Sequence, residues 1–301
     1  MSLCFHSPVP ADRAAAAAAA NSVRAMENDA AFANLYLLRE KYGTELCVSG
    51  GMLFRRYHSG IRAGCYGFPL GNGDLREAVS LLAADADERG IPLRLTLLTK
   101  AQCEQLEALF PAQFAFEPMP DYTEYLYLQE NLAALRGSRY HGKRNHIAQF
   151  WRGCPEAYIQ PLIAENADIA VGIAEQWLAA RSDPDEPSLR YELSCIREAA
   201  ANWEALHLTG LLLYDGANPI GMTVVSEISA GVFDIHFEKV VPAHPHAWPV
   251  VVNEMAKCLA GAAYLNREED LGERGMRSSK QSYRPDLLNE KYTALRRGKE
   301  L

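Results

Sequence analysis

The chain has 301 residues, of which 49% are hydrophobic and 23% are charged, as in a globular protein and unlike a disordered one. Its net charge of −8 argues against a general nucleic-acid-binding surface and leaves room only for a local basic patch. No window approaches the roughly 18 consecutive apolar residues of a membrane-spanning helix, so we expect no transmembrane segment. The seven cysteines lie far apart without a CxxC pair, which excludes an encoded disulfide framework or zinc knuckle and favours the cytoplasm.

Helices and short strands alternate in the first half of the chain. Pro10 and Asp12 are helix-start signals, and Asp74 is a helix N-cap. The dipeptide Gly50-Gly51 predicts a hairpin turn. Apolar periodicity then predicts helices near 12–26, 30–42, 74–89 and 100–109, and strands near 44–48, 51–57, 63–69, 92–97, 113–117 and 123–128.

The second half repeats this order of elements. Its periodicity predicts helices near 138–152, 160–180, 187–204 and 249–260, and strands near 208–214, 219–228, 231–240 and 264–266. In each half, helices precede three meandering strands, a loop, a helix and a further strand. Because domains usually have roughly 100–200 residues, we predict two of them, at 1–133 and 134–301.

The strand predicted near 231–240 carries three ionisable side chains at alternate positions. Period-2 geometry places Asp234, His236 and Glu238 on one face and Phe233 and its apolar neighbours on the other. Such groups on a central strand indicate a cleft, and we predict Glu238 as a general base with His236 beside it. The alternative is an edge strand whose polar face lies in water.

The segment 264–285 concentrates charge where a short strand meets a helix. Lys280 and Tyr283 lie three residues apart, so both could face one anion or leaving group, with the tyrosine as proton donor. Asn266 and Arg267, at the end of the strand, could supply further donors. The alternative is a solvated, salt-bridged helix start.

A basic patch covers residues 136–152, within a stretch free of acids between 131 and 155. With aromatic residues interleaved, it could bind a phosphate backbone and stack a base. The residues predicted to bind substrate or phosphate here are Tyr140, Lys143, Arg144 and Asn145. The alternative is an amphipathic helix whose bases simply face water.

Two loops contain residues that could bind a phosphate or a metal. Gly71, Asn72 and Gly73 precede a capped helix and could offer backbone N–H groups to a cofactor phosphate. The corresponding loop of the second half, 241–249, has no glycine, and its three prolines lack N–H donors. His244, with a second histidine in this loop, lacks a third ligand, so we predict no metal site.

Several segments of the sequence resemble those of a known bacterial family, which is classed with the C-terminal domain of phosphatidylglycerol lysyltransferase. The resemblance spans nearly the whole chain. It rests on Phe32-Ala-Asn-Leu-Tyr36, Cys65-Tyr-Gly-Phe-Pro-Leu-Gly-Asn-Gly-Asp74, Tyr140-His-Gly-Lys-Arg-Asn-His146, His236-Phe-Glu-Lys239 and Asn266-Arg-Glu-Glu-Asp-Leu-Gly272. It implies an α+β fold with mixed sheets, formed by two tandem domains like the GCN5-related N-acyltransferases (GNAT fold).

The resemblance also implies an activity. Relatives include peptidyltransferases that take aminoacyl groups from tRNA, so we expect an acyl- or aminoacyltransferase with acyl-CoA or aminoacyl-tRNA as donor and no tightly bound cofactor. In this scheme Glu238 is the base, Tyr283 is the acid, Lys280 and Arg267 hold the donor, and the patch at 139–146 contacts tRNA. The alternative is a non-catalytic protein that binds tRNA or another phosphate-containing ligand on a degenerate double fold.

Overall fold

Two mixed β-sheets of seven strands each organise the computed structural model, which describes residues 3–184, 186–244 and 246–298. The helices are α1 Arg13–Ser22, α2 Phe32–Leu37, α3 Arg39–Tyr42, α4 Leu75–Glu88, α5 Lys100–Leu109, α6 Gln129–Ala134, α7 His141–Gly153, α8 Ala167–Ala179, α9 Pro187–Ala201, α10 Ala247–Cys258 and α11 Arg274–Gln281. The strands are β1 Thr44–Ser49, β2 Met52–Tyr57, β3 Tyr66–Gly67, β4 Leu70–Gly71, β5 Arg94–Thr99, β6 Phe114–Pro118, β7 Glu124–Leu128, β8 Ala157–Leu162, β9 Thr209–Asp215, β10 Asn218–Ser229, β11 Val232–Val240, β12 Tyr264–Asn266, β13 Leu287–Asn289 and β14 Lys291–Arg296.

Local signals in the sequence account for many element ends. The Asp74 carboxylate accepts the N–H of Glu77 at 3.0 Å and so caps α4. Thr99 and Gln102 form a reciprocal capping box at the start of α5. Gly50 and Gly51 both have positive φ, which permits the tight turn between β1 and β2.

Each sheet combines an antiparallel meander with one parallel pair. The first sheet has the order β1-β2-β3-β5-β14-β6, with β4 paired to β2. The second has the order β13-β7-β12-β11-β10-β9-β8. The parallel pairs are β3 with β5, connected through α4, and β11 with β12, connected through α10. The predicted α+β class with mixed sheets is therefore confirmed.

The two sheets exchange strands across the predicted domain division. β7 precedes residue 133 but pairs with β12 and β13 in the second sheet. β14 follows residue 134 but pairs with β5 and β6 in the first sheet. The division at 133/134 stays a prediction. The second sheet contains β7 from before this division, and the first sheet contains β14 from after it.

Two predicted helices differ from the structure. The helix predicted near 160–180 is preceded by β8, whose Tyr158 stacks on Tyr214 of β9 with ring centres 4.9 Å apart. Pro161 is tolerated there because β8 is an edge strand. The helix predicted near 30–42 is divided at Leu38 into α2 and α3.

The apolar core is continuous between the sheets, and α1 connects them. The alanines of α1 that are buried, Ala16, Ala19 and Ala20, allow this helix to contact both β4 and β10. Small side chains permit the close approach of a helix to two sheets at once. Within the described residues, no helix combines the length and apolarity needed to cross a bilayer.

A buried ionic network also joins the sheets. Lys291 on β14 lies 2.7 Å from the carboxylate of Glu124 on β7, and both side chains are 1% exposed. Arg55 on β2 lies 2.9 Å from Asp29 and is equally buried. Since charges this deep in the protein require partners, the Lys291–Glu124 pair fixes the relative position of one strand from each sheet, and the Arg55–Asp29 pair holds β2 against the turn that contains Asp29.

Candidate active site

The parallel strands β11 and β12 diverge after only three paired positions. Their register ends at Asp234 opposite Asn266, where β12 stops and the chain turns away, while β11 continues to Val240. A bulge in the pairing with β10 leaves His236 without a direct cross-strand neighbour. The divergence places the side chains of His236 and Glu238 next to the segment that follows β12.

An ion pair bridges this divergence. Arg267 donates to Oε2 of Glu238 through both Nε, at 3.2 Å, and Nη2, at 2.6 Å. Burial disfavours the charge of Arg267, but Glu238 outweighs it and raises the pKa of the guanidinium above its ordinary value. Two residues predicted from different sequence segments therefore meet at one point.

Tyr283 forms the wall beside this ion pair. Its ring centre lies 4.8 Å from Cζ of Arg267 and 3.8 Å from Nζ of Lys143, and Tyr127 packs edge-on against it. Burial raises the pKa of the Tyr283 hydroxyl, which therefore stays protonated at neutral pH. The ring thus lies within cation–π range of two positive charges.

Lys143 is the member of the basic patch that reaches the site. Its side chain is half-buried, and burial followed by repulsion from Arg267 lowers its pKa to about 8. Within the described part of the chain, its ammonium has no carboxylate partner. A lysine with this pKa is mostly charged at neutral pH and can release a proton readily.

His236 contacts both a hydroxyl and a carboxyl group. Its Nε2 lies 2.8 Å from Ser226 Oγ, and its Nδ1 lies 3.3 Å from Oδ2 of Asp234. Burial lowers the pKa of His236 to about 3, so the imidazole is neutral. Burial, and then the nearby Glu268, raises the pKa of Asp234 well above its ordinary value.

Four buried polar atoms at the divergence have no hydrogen-bond partner among the described residues. Buried polar atoms are normally paired, and a catalytic role or a bound ion or water is among the explanations for an unpaired one. They also belong to residues on two chain segments that face each other. These atoms are Asp234 Oδ1, His236 Nδ1, Glu238 Oε1 and Arg267 Nη1.

The structure gives Asn266 and Lys280 intramolecular partners. The Asn266 amide donates to Glu124 Oε2 and to Met26 O, both at 2.9 Å, and its oxygen accepts the N–H of Glu268. The Lys280 ammonium donates to the carbonyl of Glu269, and burial lowers its pKa. Intramolecular contacts therefore hold both side chains in place, and the donor-binding role expected of them from the sequence stays a prediction.

Three other residues of the patch lie outside the divergence. Arg144 donates to the carbonyls of Leu135 and, at 2.7 Å, Gly137, and so covers the end of α6. Tyr140 is fully buried, and burial raises the pKa of its hydroxyl. Asn145 is exposed, with its amide 3.1 Å from the His141 ring. Among the patch residues predicted to bind phosphate, Lys143 lies beside Tyr283 and Arg267 at the divergence.

Gly71, Asn72 and Gly73 pack against the β1–β2 hairpin. A Cβ at Gly71 would lie 2.2 Å from Gly51 O, and one at Gly73 would lie 2.8 Å from Met52 Cγ. The Gly73 N–H is directed at Met52 Sδ, 3.1 Å away. The acidic cap of α4 by Asp74 further disfavours an anion at this helix start. Close backbone packing explains these glycines without a phosphate.

Sequence reasoning did not identify Asn34, Tyr127 and Glu268 as site residues. Asn34 donates to Asp234 and to Glu268, both at 3.3 Å, and carboxyl and imidazole atoms of Asp234, His236 and Glu268 lie within 4.8 Å of one another. The alternation along β11 had placed Asp234 on the same face as His236 and Glu238. Nothing in the sequence pointed to Tyr127, because its strand belongs to the other half of the chain.

Comparison with known proteins gives a family and a fold. The family described as "Phosphatidylglycerol lysyltransferase, C-terminal" matches residues 21–295. A conserved protein of unknown function from Bacteroides thetaiotaomicron is 29% identical with a TM-score of 0.93, over 98% of this chain and all of that one. No curated protein matches.

Two more distant structures are similar in fold. The C-terminal domain of a candidate lysylphosphatidylglycerol synthetase from Agrobacterium fabrum has a TM-score of 0.65 at 13% identity, over 96% of this chain and 93% of that one. L-PGS from Bacillus licheniformis has a TM-score of 0.60 at 14% identity, over 92% and 94%. Together with the meander, crossover helix and parallel strand in each sheet, these likenesses confirm the predicted GNAT-like fold.

Proposed function

The chain belongs to the family of phosphatidylglycerol lysyltransferase C-terminal domains, as the sequence resemblance predicted, and from this premise we propose that it is an acyl- or aminoacyltransferase. It would move an acyl or aminoacyl group from an activated donor to an amine or hydroxyl acceptor. The observation that carries the proposal is the convergence of Glu238, Arg267, Tyr283 and Lys143 where β11 and β12 diverge.

The proposed reaction is a single acyl transfer. The acceptor nitrogen or oxygen attacks the donor carbonyl carbon, and the bond from that carbon to the leaving oxygen or sulfur breaks. Oε1 of Glu238, which is free of intramolecular partners in the described structure, takes the proton from the acceptor. The leaving atom receives a proton from the Tyr283 hydroxyl, which its raised pKa keeps protonated.

The charges around Tyr283 suit an anionic donor. Lys143 and Arg267 carry two positive charges against the single negative charge of Glu238, so the site has excess positive charge. Such a site stabilises a phosphate of the donor and the negative charge that develops on the attacked carbonyl. In this proposal Lys143 and Arg267 bind the donor, whereas the sequence had predicted Lys280 and Arg267 for that role.

We further propose that the donor is an aminoacyl ester of tRNA. Lys143 belongs to α7, and Arg144 and Arg152 on the same helix are exposed to solvent. A phosphate backbone along α7 would place the terminal ester near Tyr283. In the alternative with acyl-CoA, the Gly73 N–H is already directed at Met52 Sδ, and Pro242 and Pro249 have no N–H to offer.

Turnover by purified variants tests this proposal. Glu238→Gln keeps the shape of the side chain but removes the base, and Tyr283→Phe keeps the ring but removes the proton. We expect each to lower kcat by about 10²- to 10⁴-fold, the usual contribution of general acid–base catalysis. Aminoacyl-tRNA and acyl-CoA are offered separately, and transfer to a panel of amine and hydroxyl acceptors is followed with a radiolabelled acyl group.

Matched controls are Glu175→Gln and Tyr158→Phe, which alter half-exposed side chains on α8 and on the edge strand β8. If tRNA is the donor, its affinity falls steeply with added salt, because binding releases counterions. A flat salt response would contradict the tRNA donor. Bound donor without turnover, unaffected by either site variant, would instead support a non-catalytic binding protein.

A further inference from the structure

Three side chains that commonly bind metals meet outside the candidate active site. They are Cys154, Asp215 and His244, each partly buried. The sequence pattern around His244 contains no third ligand, because Cys154 and Asp215 are distant along the chain. The fold brings these three residues together in space although they are far apart in the sequence.

Ordinary backbone contacts bring these residues together. The carbonyl of Cys154, just after α7, accepts the N–H of Ala157, and Ala157 pairs with Asp215 at the β8–β9 edge. His244 follows β11 in a turn closed by its own N–H to Val241 O. Three separate connections of the second sheet therefore present one ligand each.

The ligand atoms converge on one point. Cys154 Sγ and His244 Nδ1 are 3.8 Å apart, and these atoms and an Asp215 oxygen all lie within 4.8 Å of one another. Around tetrahedral Zn²⁺, with Zn–S of about 2.3 Å and Zn–N or Zn–O of about 2.0–2.2 Å, ligand atoms are separated by roughly 3.3–3.8 Å. Small rotations of the side chains would bring all three into this range.

The arrangement differs from a cysteine–histidine–aspartate relay for nucleophilic catalysis. In such a relay the carboxylate holds the far nitrogen of the imidazole and lies well away from the thiol. Here the Asp215 oxygen lies within 4.8 Å of Cys154 Sγ itself. Convergence of all three groups on one point favours a cation over a proton relay.

We propose that Cys154 Sγ, Asp215 and His244 Nδ1 bind one Zn²⁺, with a water molecule as the fourth ligand. A thiolate with imidazole and carboxylate is a typical ligand set for zinc, whereas calcium and magnesium prefer oxygen ligands alone. The partial exposure of the three residues leaves the fourth position open to solvent.

The metal would hold the loop after β11 against α7. The same loop already contacts this helix through His246, whose ring lies 4.9 Å from that of His146. Zinc would thus tie together the end of α7, the β9–β10 turn and the start of α10. This is a structural role, and it does not depend on the proposed acyl transfer.

Metal binding by the full chain, with any histidine tag removed, tests the proposal. Equilibrium dialysis against Zn²⁺ should give one ion per chain, and Co²⁺ should give a thiolate-to-metal charge-transfer band in the near ultraviolet. We expect Cys154→Ser and His244→Ala to weaken binding by more than about 100-fold, since even loss of an outer-shell contact costs about 10- to 100-fold.

Cys258→Ser and His141→Ala are the matched controls, because both residues are exposed and lie outside the cluster. They should leave the stoichiometry and the cobalt band unchanged. The cobalt band needs no variant, so it tests the thiolate ligand even if a variant folds poorly. The absence of stoichiometric zinc binding would overturn the proposal. Zinc binding that survives both Cys154→Ser and His244→Ala would also overturn it. Zinc binding that is lost in His236→Gln instead would place the ion at the candidate active site and would equally contradict the proposal.

Discussion

At the scale of single residues, Lys143 links the basic patch to the chemistry of the site. Its ammonium lies 3.8 Å from the centre of the Tyr283 ring and close enough to Arg267 to feel its charge. Burial and this repulsion together make its positive charge easy to remove. The charge of Lys143, and therefore its interaction with an anionic donor, depends on pH near physiological values.

This yields a prediction about donor affinity. Because the pKa of Lys143 is lowered to about 8, the affinity for aminoacyl-tRNA should fall as the pH rises through that value. Lys143→Arg should retain affinity at higher pH, since arginine stays charged. Lys143→Met should weaken binding about 10- to 100-fold at neutral pH, the effect of losing one hydrogen bond to a charged group.

Filter binding or fluorescence anisotropy across neutral and alkaline pH measures these affinities. Lys257→Met is a suitable control, because Lys257 lies on the surface of α10 and pairs with Glu254. A pH dependence that is the same in Lys143→Arg and in the unmodified protein would contradict the assignment.

The polar face of β11 could be predicted from the sequence, because alternation along a strand is a local pattern. Alternation along β11 brought Asp234 and His236 into contact and placed Glu238 at the divergence. The spacing of Lys280 and Tyr283 was misleading, because α11 ends at Gln281 and Tyr283 lies beyond it. Lys280 turns back to Glu269, a contact that no local pattern encodes.

At the scale of elements, the hairpin of β1 and β2 explains the glycine-rich loop before α4. Gly71 has a φ of +145°, and its missing side chain makes room for the carbonyl of Gly51. The loop is therefore held close to the hairpin, and its composition reflects packing between neighbouring strands.

We predict that Gly71→Ala destabilises the protein by about 2–5 kcal/mol, from backbone strain and overpacking together. The control is Gly90→Ala, also at positive φ but with no atom within 4 Å of the added Cβ. It should cost only about 1–2 kcal/mol, the usual penalty for a left-handed residue. Urea denaturation measures both, and equal costs would contradict the packing explanation.

Elements with strong local periodicity were predictable, and those defined by distant pairing were not. The boundaries of β12 and α5 agree with the predicted 264–266 and 100–109. The periodicity predicts a helix from residue 160, whereas residues 160–162 end β8, a strand that is short and contains a proline. β13 and β14 were not predicted at all, since their strand character depends on partners contributed by β5, β6 and β7.

At the scale of the whole molecule, charged pairs between strands hold the two sheets in register. Glu124 forms an ion pair with Lys291 at 2.7 Å, and its other carboxylate oxygen accepts from the amides of Asn266 and Asn289, each at 2.9 Å. The network thus connects strands of the first sheet with the segments that lead into the candidate site. Sequence alone could not have paired Glu124 with Lys291, because no local pattern relates them.

We predict that Lys291→Met lowers the free energy of unfolding by about 3–5 kcal/mol, because it leaves Glu124 buried without its cation. Combining it with Glu124→Gln should cost less than the sum of the two single changes, since the double variant has no unpaired charge. Chemical denaturation of the four proteins gives the coupling energy. Simple additivity, or a cost near that of the exposed control Lys257→Met, would show that the pair is energetically unimportant.

The position of β14 also bears on how the protein is made. During translation β6 emerges long before its only strand partner in the described structure, and β5 emerges with one side unpaired. The first sheet therefore cannot close until the ribosome has produced residues 291–296. The half of the protein that is synthesised first is among the last parts to be completed, and its open strands must be kept from other chains until then.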